Sequence, residues 1–177
     1  MRQISLAFLF CLASCQPSAP SSTMVGDKGS SAAGLERAAI DSGVIADAAR
    51  LSPVGVYQRR HEAGRDVLCI IPAKRGDFRF GLEAMFGEEQ NCHGHGSARR
   101  AGDKLILSFS GRGDHCIIVG QYDGDQLSLP GVVDIKCNTL CEGRGSLGGV
   151  SFPRLSSDAG YALRAADRDG RALCDAD

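Results

Sequence analysis

The chain lacks three features that would point to common protein classes. It has no tryptophan, and only 6% of its 177 residues are aromatic, whereas 23 are glycine. Lysine and arginine together number 20 against 21 acidic residues, so no basic excess indicates a nucleic-acid partner. The nearly unbroken apolar segment 4–13 is shorter than the roughly 20 residues that a membrane-spanning helix needs. The composition therefore predicts a turn-rich domain without long helices.

The chain also lacks an assembled catalytic motif. His61-Glu62 is followed by Arg65 at the position where a zinc metalloprotease carries its second histidine. Ser146 has Arg144 two positions earlier, where a nucleophile elbow requires glycine. Residues 143–148 spell G-x-G-x-x-G, but a strand-like segment follows instead of a helix, which favours a tight turn beside a disulfide over dinucleotide binding. We therefore expect no enzymatic activity and no cofactor.

The N-terminus carries a targeting pattern. Arg2 precedes the apolar segment 4–13, and Leu12-Ala13-Ser14-Cys15 follows. This arrangement resembles the signal peptide of bacterial lipoproteins, which implies that residues 1–14 are removed and that Cys15 becomes the lipidated first residue. Gln16 in place of aspartate implies a lipid anchor in the outer membrane of a Gram-negative bacterium, on the periplasmic side. The alternative is an ordinary cleaved secretion signal.

Composition divides the rest of the chain. Residues 15–34 comprise Cys15 and a segment rich in Ser, Ala, Gly and Pro, which predicts a flexible linker. Apolar residues then recur at helical spacing, so we expect a short helix over residues 35–52, which Pro53 limits. Residues 53–177 form the folded domain. Loss of Arg2 with the leader changes the formal net charge from −1 to −2.

The cysteines support an oxidising compartment. If Cys11 leaves with the leader and Cys15 is lipidated, six candidates for disulfides remain: Cys69, Cys92, Cys116, Cys137, Cys141 and Cys174. They allow up to three bridges in fifteen connectivities. The predicted hairpins bring Cys92 and Cys116 to the same barrel end, which favours that pair. A zinc site that includes Cys137 and Cys141 is the alternative.

Strand patterns dominate the domain. From Phe78 to Phe86, apolar and polar residues alternate, which predicts a strand with one buried and one solvated face. Seven shorter segments have similar character: 54–60, 67–72, 92–100, 105–110, 116–122, 127–133 and 147–152. Eight short strands joined mainly by turns predict a mainly β fold, namely a small antiparallel barrel, or a sandwich as the second choice. A short helix over 158–167 follows, and Cys174 ties the C-terminus to the barrel.

Two groups of side chains are candidates for binding. His93 and His95, two positions apart on a strand, share one face and form a weak metal pair that His61 or His115 would complete. Solvent exposure of both histidines is the alternative. The second group is a basic rim for an anionic glycan, a lipid or an acidic partner, against the alternative of solvated surface charge; its members are Arg99, Arg100, Lys104 and Arg112.

The domain also carries resemblances. Gly55-Val56-Tyr57, the segment 137–141 (CNTLC) and the segment 143–147 (GRGSL) resemble alphaproteobacterial periplasmic lipoproteins of unassigned role. The layout is also similar to membrane-bound lysozyme inhibitors, which are lipoproteins with small β-barrels. Their Ser-Gly-x-x-Tyr motif is absent, because Asp114 stands in the tyrosine position after Ser110-Gly111.

These observations predict a non-catalytic binding or envelope-maintenance module. We expect it to contact the membrane through its N-terminal lipid and to bind an envelope protein or a glycan, but no nucleic acid. A lysozyme inhibitor is the first alternative. A lipocalin-like carrier of a small apolar ligand is the second, and it requires a roomy barrel interior.

Overall fold

The structure is a closed eight-stranded antiparallel barrel. The computed structural model describes residues 28–174, so the predicted leader and Cys15 lie outside the described residues. Each strand pairs with its neighbours in sequence, and the last pairs with the first. The strands are β1 (Gly55–His61), β2 (Gly64–Pro72), β3 (Phe78–Gly87), β4 (Gln90–Ala101), β5 (Lys104–Phe109), β6 (Ile117–Tyr122), β7 (Gln126–Ser128) and β8 (Ser151–Ser156). The predicted barrel is confirmed, and the sandwich is excluded.

Both helices differ from their predicted bounds. Helix α1 spans Lys28–Asp41, so it begins inside the predicted linker and ends before residue 52. Gly43 at φ 74° explains the early end, because its N–H bonds the carbonyl of Ile40 in a left-handed termination. Helix α2 spans Ala159–Leu163, within the predicted segment 158–167, and Asp158 caps it by accepting the N–H of Tyr161 at 2.5 Å.

Side chains fill the barrel interior. Phe80 and Phe109 meet edge to face with ring centroids 4.9 Å apart, as expected of an aromatic pair. The largest fully buried side chains are those of Tyr57, Tyr122, Phe80, Phe152, Leu68, Ile70, Leu82, Leu105, Leu107, Ile118, Leu127 and Leu147. Phe86, expected on the buried face, is 37% exposed because the β3–β4 pairing shifts register between Met85 and Gly87.

A C-terminal strap, residues 164–174, covers the outside of β2 and β3. The carbonyl oxygen of Leu173 lies directly over Gly81, where an added Cβ would be 1.9 Å from it. Beside the strap, a second apolar cluster contains Val56, Val67, Cys69, Ile71, Ala162, Ala165 and Cys174. The outer face of β3 is therefore not solvated as predicted: Glu83 is 4% and Met85 6% exposed.

All six candidate cysteines form disulfides, in the pairs Cys69–Cys174, Cys92–Cys141 and Cys116–Cys137. The predicted tie of Cys174 to the barrel is confirmed, but the favoured pair Cys92–Cys116 is wrong. Strand β5 separates β4 from β6, and two strand spacings, roughly 9–10 Å, exceed the Cα separation of a disulfide. The connection between β7 and β8 instead brings one partner to each cysteine.

Disulfide pairing rules out the alternative zinc site at Cys137 and Cys141. Cys137 and Cys141 belong to different disulfides, so they are not a thiolate pair. The G-x-G-x-x-G segment is a turn, with Gly143 at φ 64°. A Cβ at Gly145 would lie 3.2 Å from the Sγ of Cys92. The segment is therefore the tight turn beside a disulfide that the sequence predicts.

Candidate functional site

One barrel end, which we call the sealed end, is closed by tyrosines and arginines. Nη2 of Arg154 donates to the hydroxyl of Tyr57 at 2.9 Å, to the carbonyl of Ser52 at 2.5 Å and to the hydroxyl of Tyr122. The Tyr57 hydroxyl donates to the carbonyl of Pro53 at 2.7 Å. Burial raises the pKa of both tyrosines, so both hydroxyls stay protonated at neutral pH. These bonds attach the chain before β1 to the barrel and close this end.

The predicted basic rim does not assemble. Arg100 belongs to the sealed end, where it donates to the carbonyls of Ala48 and Gly102 and stacks 5.2 Å from the ring centroid of Tyr122. Lys104 begins β5, whereas Arg112 follows the far end of that strand and pairs with Glu142 at 3.8 Å. A strand of six residues separates them by about 20 Å. Arg99 lies exposed on the outer face of β4.

A buried carboxylate lies at the barrel end opposite the sealed end, where β1 ends and β2 begins. Asp66 is 1% exposed. It accepts two bonds from Arg59, at 2.8 and 3.2 Å, and one from the backbone N–H of Met85 at 2.9 Å. Oδ1, the oxygen that accepts from Met85, also lies 3.0 Å from Nε2 of His61, whereas Arg59 bonds Oδ2. Asp66 is thus saturated by its own neighbours, which is how a buried charge is normally tolerated. The cluster joins β1, β2 and β3 and is structural.

The two candidate metal ligands, His93 and His95, lie on one face of β4, opposite the buried Cys92. His93 faces Glu83 in the register with β3, and His95 faces Gly81 beneath the strap. His61 is bonded to Asp66, and His115 lies in the loop before β6. Across residues 28–174, no three His, Cys, Asp or Glu side chains are grouped to hold a metal ion.

Near the sealed end lies a groove of about 630 Å³ between α2 and the loop that joins β2 to β3. Its apolar lining comprises Ile71, Pro72, Ala73, Phe78, Ala159 and Leu163. Its polar lining comprises Lys74, Asp77, Arg79 and Ser97. This combination of an apolar floor with a few charged groups is typical of a ligand site. Lys74, whose side chain is exposed, brings positive charge to the groove.

The groove is held in shape by backbone contacts. The N–H of Ala73 donates to the carbonyl of Asp77 at 2.9 Å and closes the loop, in which Arg75 adopts a left-handed φ of 63°. On the other wall, the cap of Asp158 fixes α2, and Ala162 is buried against the outside of the barrel. The left-handed conformation of Arg75 costs free energy for a non-glycine residue, so the closed loop must hold it in place.

Sequence reasoning missed this groove. Its walls come from residues 71–79, 97 and 159–163, which are far apart in the chain and have no shared motif. No local feature of the sequence marks it: Leu163 on the five-residue helix α2 is 40% exposed, but other large apolar side chains such as Val132, at 86%, are more exposed.

None of the helices within residues 28–174 is long and apolar enough to cross a membrane. No known protein family, curated protein or solved structure matches the chain.

Proposed function

We propose that the protein is a lipid-anchored, non-catalytic binding module on the periplasmic side of the outer membrane of a Gram-negative bacterium. The Leu12–Cys15 pattern after an apolar leader supports the anchor. Three disulfides in a domain of this size are typical of an oxidising compartment such as the periplasm. The domain is thus a rigid scaffold presented close to the lipid surface.

The groove between α2 and the β2–β3 loop is the observation that carries the binding function. Asp66 and Tyr57, two buried polar residues outside the groove, are consumed by internal hydrogen bonds. The groove instead combines open volume, an apolar floor and the exposed charge of Lys74. We propose that it receives a segment of an envelope protein that presents an apolar side chain next to an acidic one.

The packed interior argues for surface binding over a lipocalin-like carrier. Tyr57, Phe80 and Phe152 are at most 2% exposed and occupy the space where a carrier would hold its ligand. A lysozyme inhibitor would bind through a protruding loop, and the loop 110–116 lacks the tyrosine of the inhibitor motif. Slowing of lysozyme by the purified domain at micromolar concentration would favour that alternative.

Two experiments test the proposal. The intact mass of the protein purified from membranes is expected to equal residues 15–177 plus acyl groups, and C15S is expected to lose membrane association. An unmodified Cys15 in a membrane-free protein would refute the anchor.

For the groove, a photo-crosslinking amino acid is placed at Lys74 and, as a matched control, at Lys104 on the start of β5. In cells, we expect a discrete adduct with an envelope protein from position 74 and none from position 104. Equal adducts from both positions, or adducts from neither, would refute the groove as the binding site.

A further inference from the structure

A second depression lies on the outer face of β2 and β3, near the start of β2 and the end of β3, and surrounds a buried carboxylate. It encloses about 310 Å³, and its side chains are those of Ala63, Arg65, Glu83, Met85, Glu88 and Arg168. We call it the Glu83 pocket. It shares no residue with the groove at α2. A volume at the lower end of ligand pockets restricts it to a small molecule.

Glu83 at the base of the pocket is incompletely neutralised. One carboxylate oxygen, Oε2, accepts the backbone N–H of Arg168 at 2.7 Å. The other oxygen accepts no hydrogen bond from residues 28–174, although the side chain is more than nine-tenths buried and lines the pocket. A buried carboxylate in this position is stabilised by any cation that reaches its second oxygen.

The surrounding charges do not supply that cation. Burial raises the pKa of Glu83; the N–H of Arg168 opposes this rise, and the carboxylates of Asp167 and Asp169 add to it. Arg65 on β2 lowers this pKa, but its influence is the smallest of those named here. On β4, the residue that faces Glu83 is His93.

The two arginines of the pocket retain donors for an anion. Arg65 uses Nη2 to bond the carbonyl of Ala166 at 3.1 Å, and Arg168 uses Nη1 to bond the carbonyl of Glu88 at 2.7 Å. Each guanidinium carries five N–H donors, so each has further donors beyond the one that fixes its position. Their planar shape suits a carboxylate.

We propose that the Glu83 pocket binds a free α-amino acid, with its ammonium on Glu83 and its carboxylate on Arg65 and Arg168. One buried carboxylate beside two guanidinium groups matches the opposite charges of such a zwitterion, and Met85 and Ala63 provide apolar contact for a short side chain. The pocket neither depends on the lipid anchor nor on the groove, so its failure would leave the proposed function standing.

The test is thermal denaturation of the folded protein with individual L- and D-α-amino acids. We expect at least one of them to raise Tm, and its N-acetyl and α-amide derivatives to lose the effect. E83Q is expected to weaken binding about tenfold or more, because a hydrogen bond to a charged group is lost. E89Q, the same change at an exposed residue of the adjacent turn, is expected to bind like the wild type.

The proposal is overturned if no amino acid raises Tm, or if the N-acetyl derivative or E83Q binds as well as the reference. NMR of the wild-type protein keeps the test independent of how variants fold. Ligand-induced shifts must concentrate at the amides of Met85 and Arg168, and shifts confined to other regions would refute the site.

Discussion

The hydroxyl of Tyr57 lies 2.9 Å from Nη2 of Arg154, and this contact closes one end of the barrel. The guanidinium also stacks on the Tyr57 ring, with its central carbon 5.4 Å from the ring centroid. The two residues face each other in the register between β1 and β8, where the sheet closes on itself. Closure of the barrel and sealing of its end therefore depend on the same pair of strands.

Removal of the Tyr57 hydroxyl tests this seal. In Y57F, the carbonyl of Pro53 loses its donor and Arg154 loses an acceptor in a buried place. We expect the free energy of unfolding to fall by about 1–3 kcal/mol, measured by urea denaturation. Y161F, at an exposed tyrosine of α2, is the matched control and is expected to change stability by less than about 0.5 kcal/mol. Equal stability of both variants would contradict a sealing role.

The disulfides are expected to differ in their contribution to the free energy of unfolding. Cys69–Cys174 spans 105 positions and Cys116–Cys137 spans 21. In the chain-entropy model, their removal costs about 5 and about 3 kcal/mol. Urea denaturation of C69A/C174A and C116A/C137A should therefore rank the first as less stable. Trypsin should also cleave the first variant early in the strap, at Arg164, Arg168 or Arg171. Intact strap arginines in that variant would show that the disulfide does not hold the strap.

Gly81 is expected to tolerate no side chain. A Cβ there would lie 1.9 Å from the carbonyl oxygen of Leu173, and backbone cannot yield as a flexible side chain does. G81A should lose about 1–3 kcal/mol or displace the strap. G131A is the control, because nothing lies within 4 Å of its Cβ position. Equal stability of G81A and G131A would place the strap elsewhere.

Asp167 is expected to confer a pH-dependent stability on the strap. Its burial alone raises the pKa, but the backbone and side-chain bonds from Arg171 and the N–H of Asp169 hold the pKa below its usual value. A carboxyl with a lowered folded pKa contributes stability above its unfolded value of about 3.9 and loses it as the pH falls through the folded pKa. D167N should therefore be less stable than the wild type at pH 7, and the difference should vanish in acid.

E62Q, at an exposed position in the turn after β1, is the control for this pH series. Urea denaturation from pH 7 to pH 2 should give parallel curves for E62Q and the wild type. A difference between D167N and the wild type that stays constant with pH would contradict the role of the ionised carboxylate.

Glu83 should change the free energy of unfolding with pH in the direction opposite to Asp167. Because burial raises its pKa, its contribution to stability is present below the ordinary carboxyl range and is lost as the pH rises through the folded pKa. E83Q, which keeps an oxygen for the N–H of Arg168, should be as stable as the wild type at pH 4 and more stable at pH 7. A loss of stability at pH 7 would mean that the ionised form is well solvated or paired.

The strands were predictable because alternation is local. Phe80 and Leu82 enter the core, and the strand from Phe78 matches its predicted start. Glu83 and Met85 were predicted to face solvent because the strap that covers them comes some 80 positions later, which no local pattern reveals. The predicted pair Cys92–Cys116 is wrong for the same reason, because the true partner of Cys92 depends on the path of the β7–β8 connection.

The groove and the Glu83 pocket were beyond sequence reasoning for a related cause. Each is assembled from segments that meet only because the C-terminal region folds back on the barrel. Lys74 and Leu163, for example, belong to a loop and a helix almost ninety positions apart, and neither lies in a recognisable motif.

The most direct test of the binding function compares L163D with L155D in the crosslinking experiment at position 74. Leu163 lines the groove, whereas Leu155 is an equally large, exposed side chain on β8 that does not. We predict that L163D abolishes the adduct and that L155D preserves it, with both proteins present in the membrane at wild-type amounts. An adduct that survives L163D, or that both substitutions abolish equally, would contradict binding in the groove.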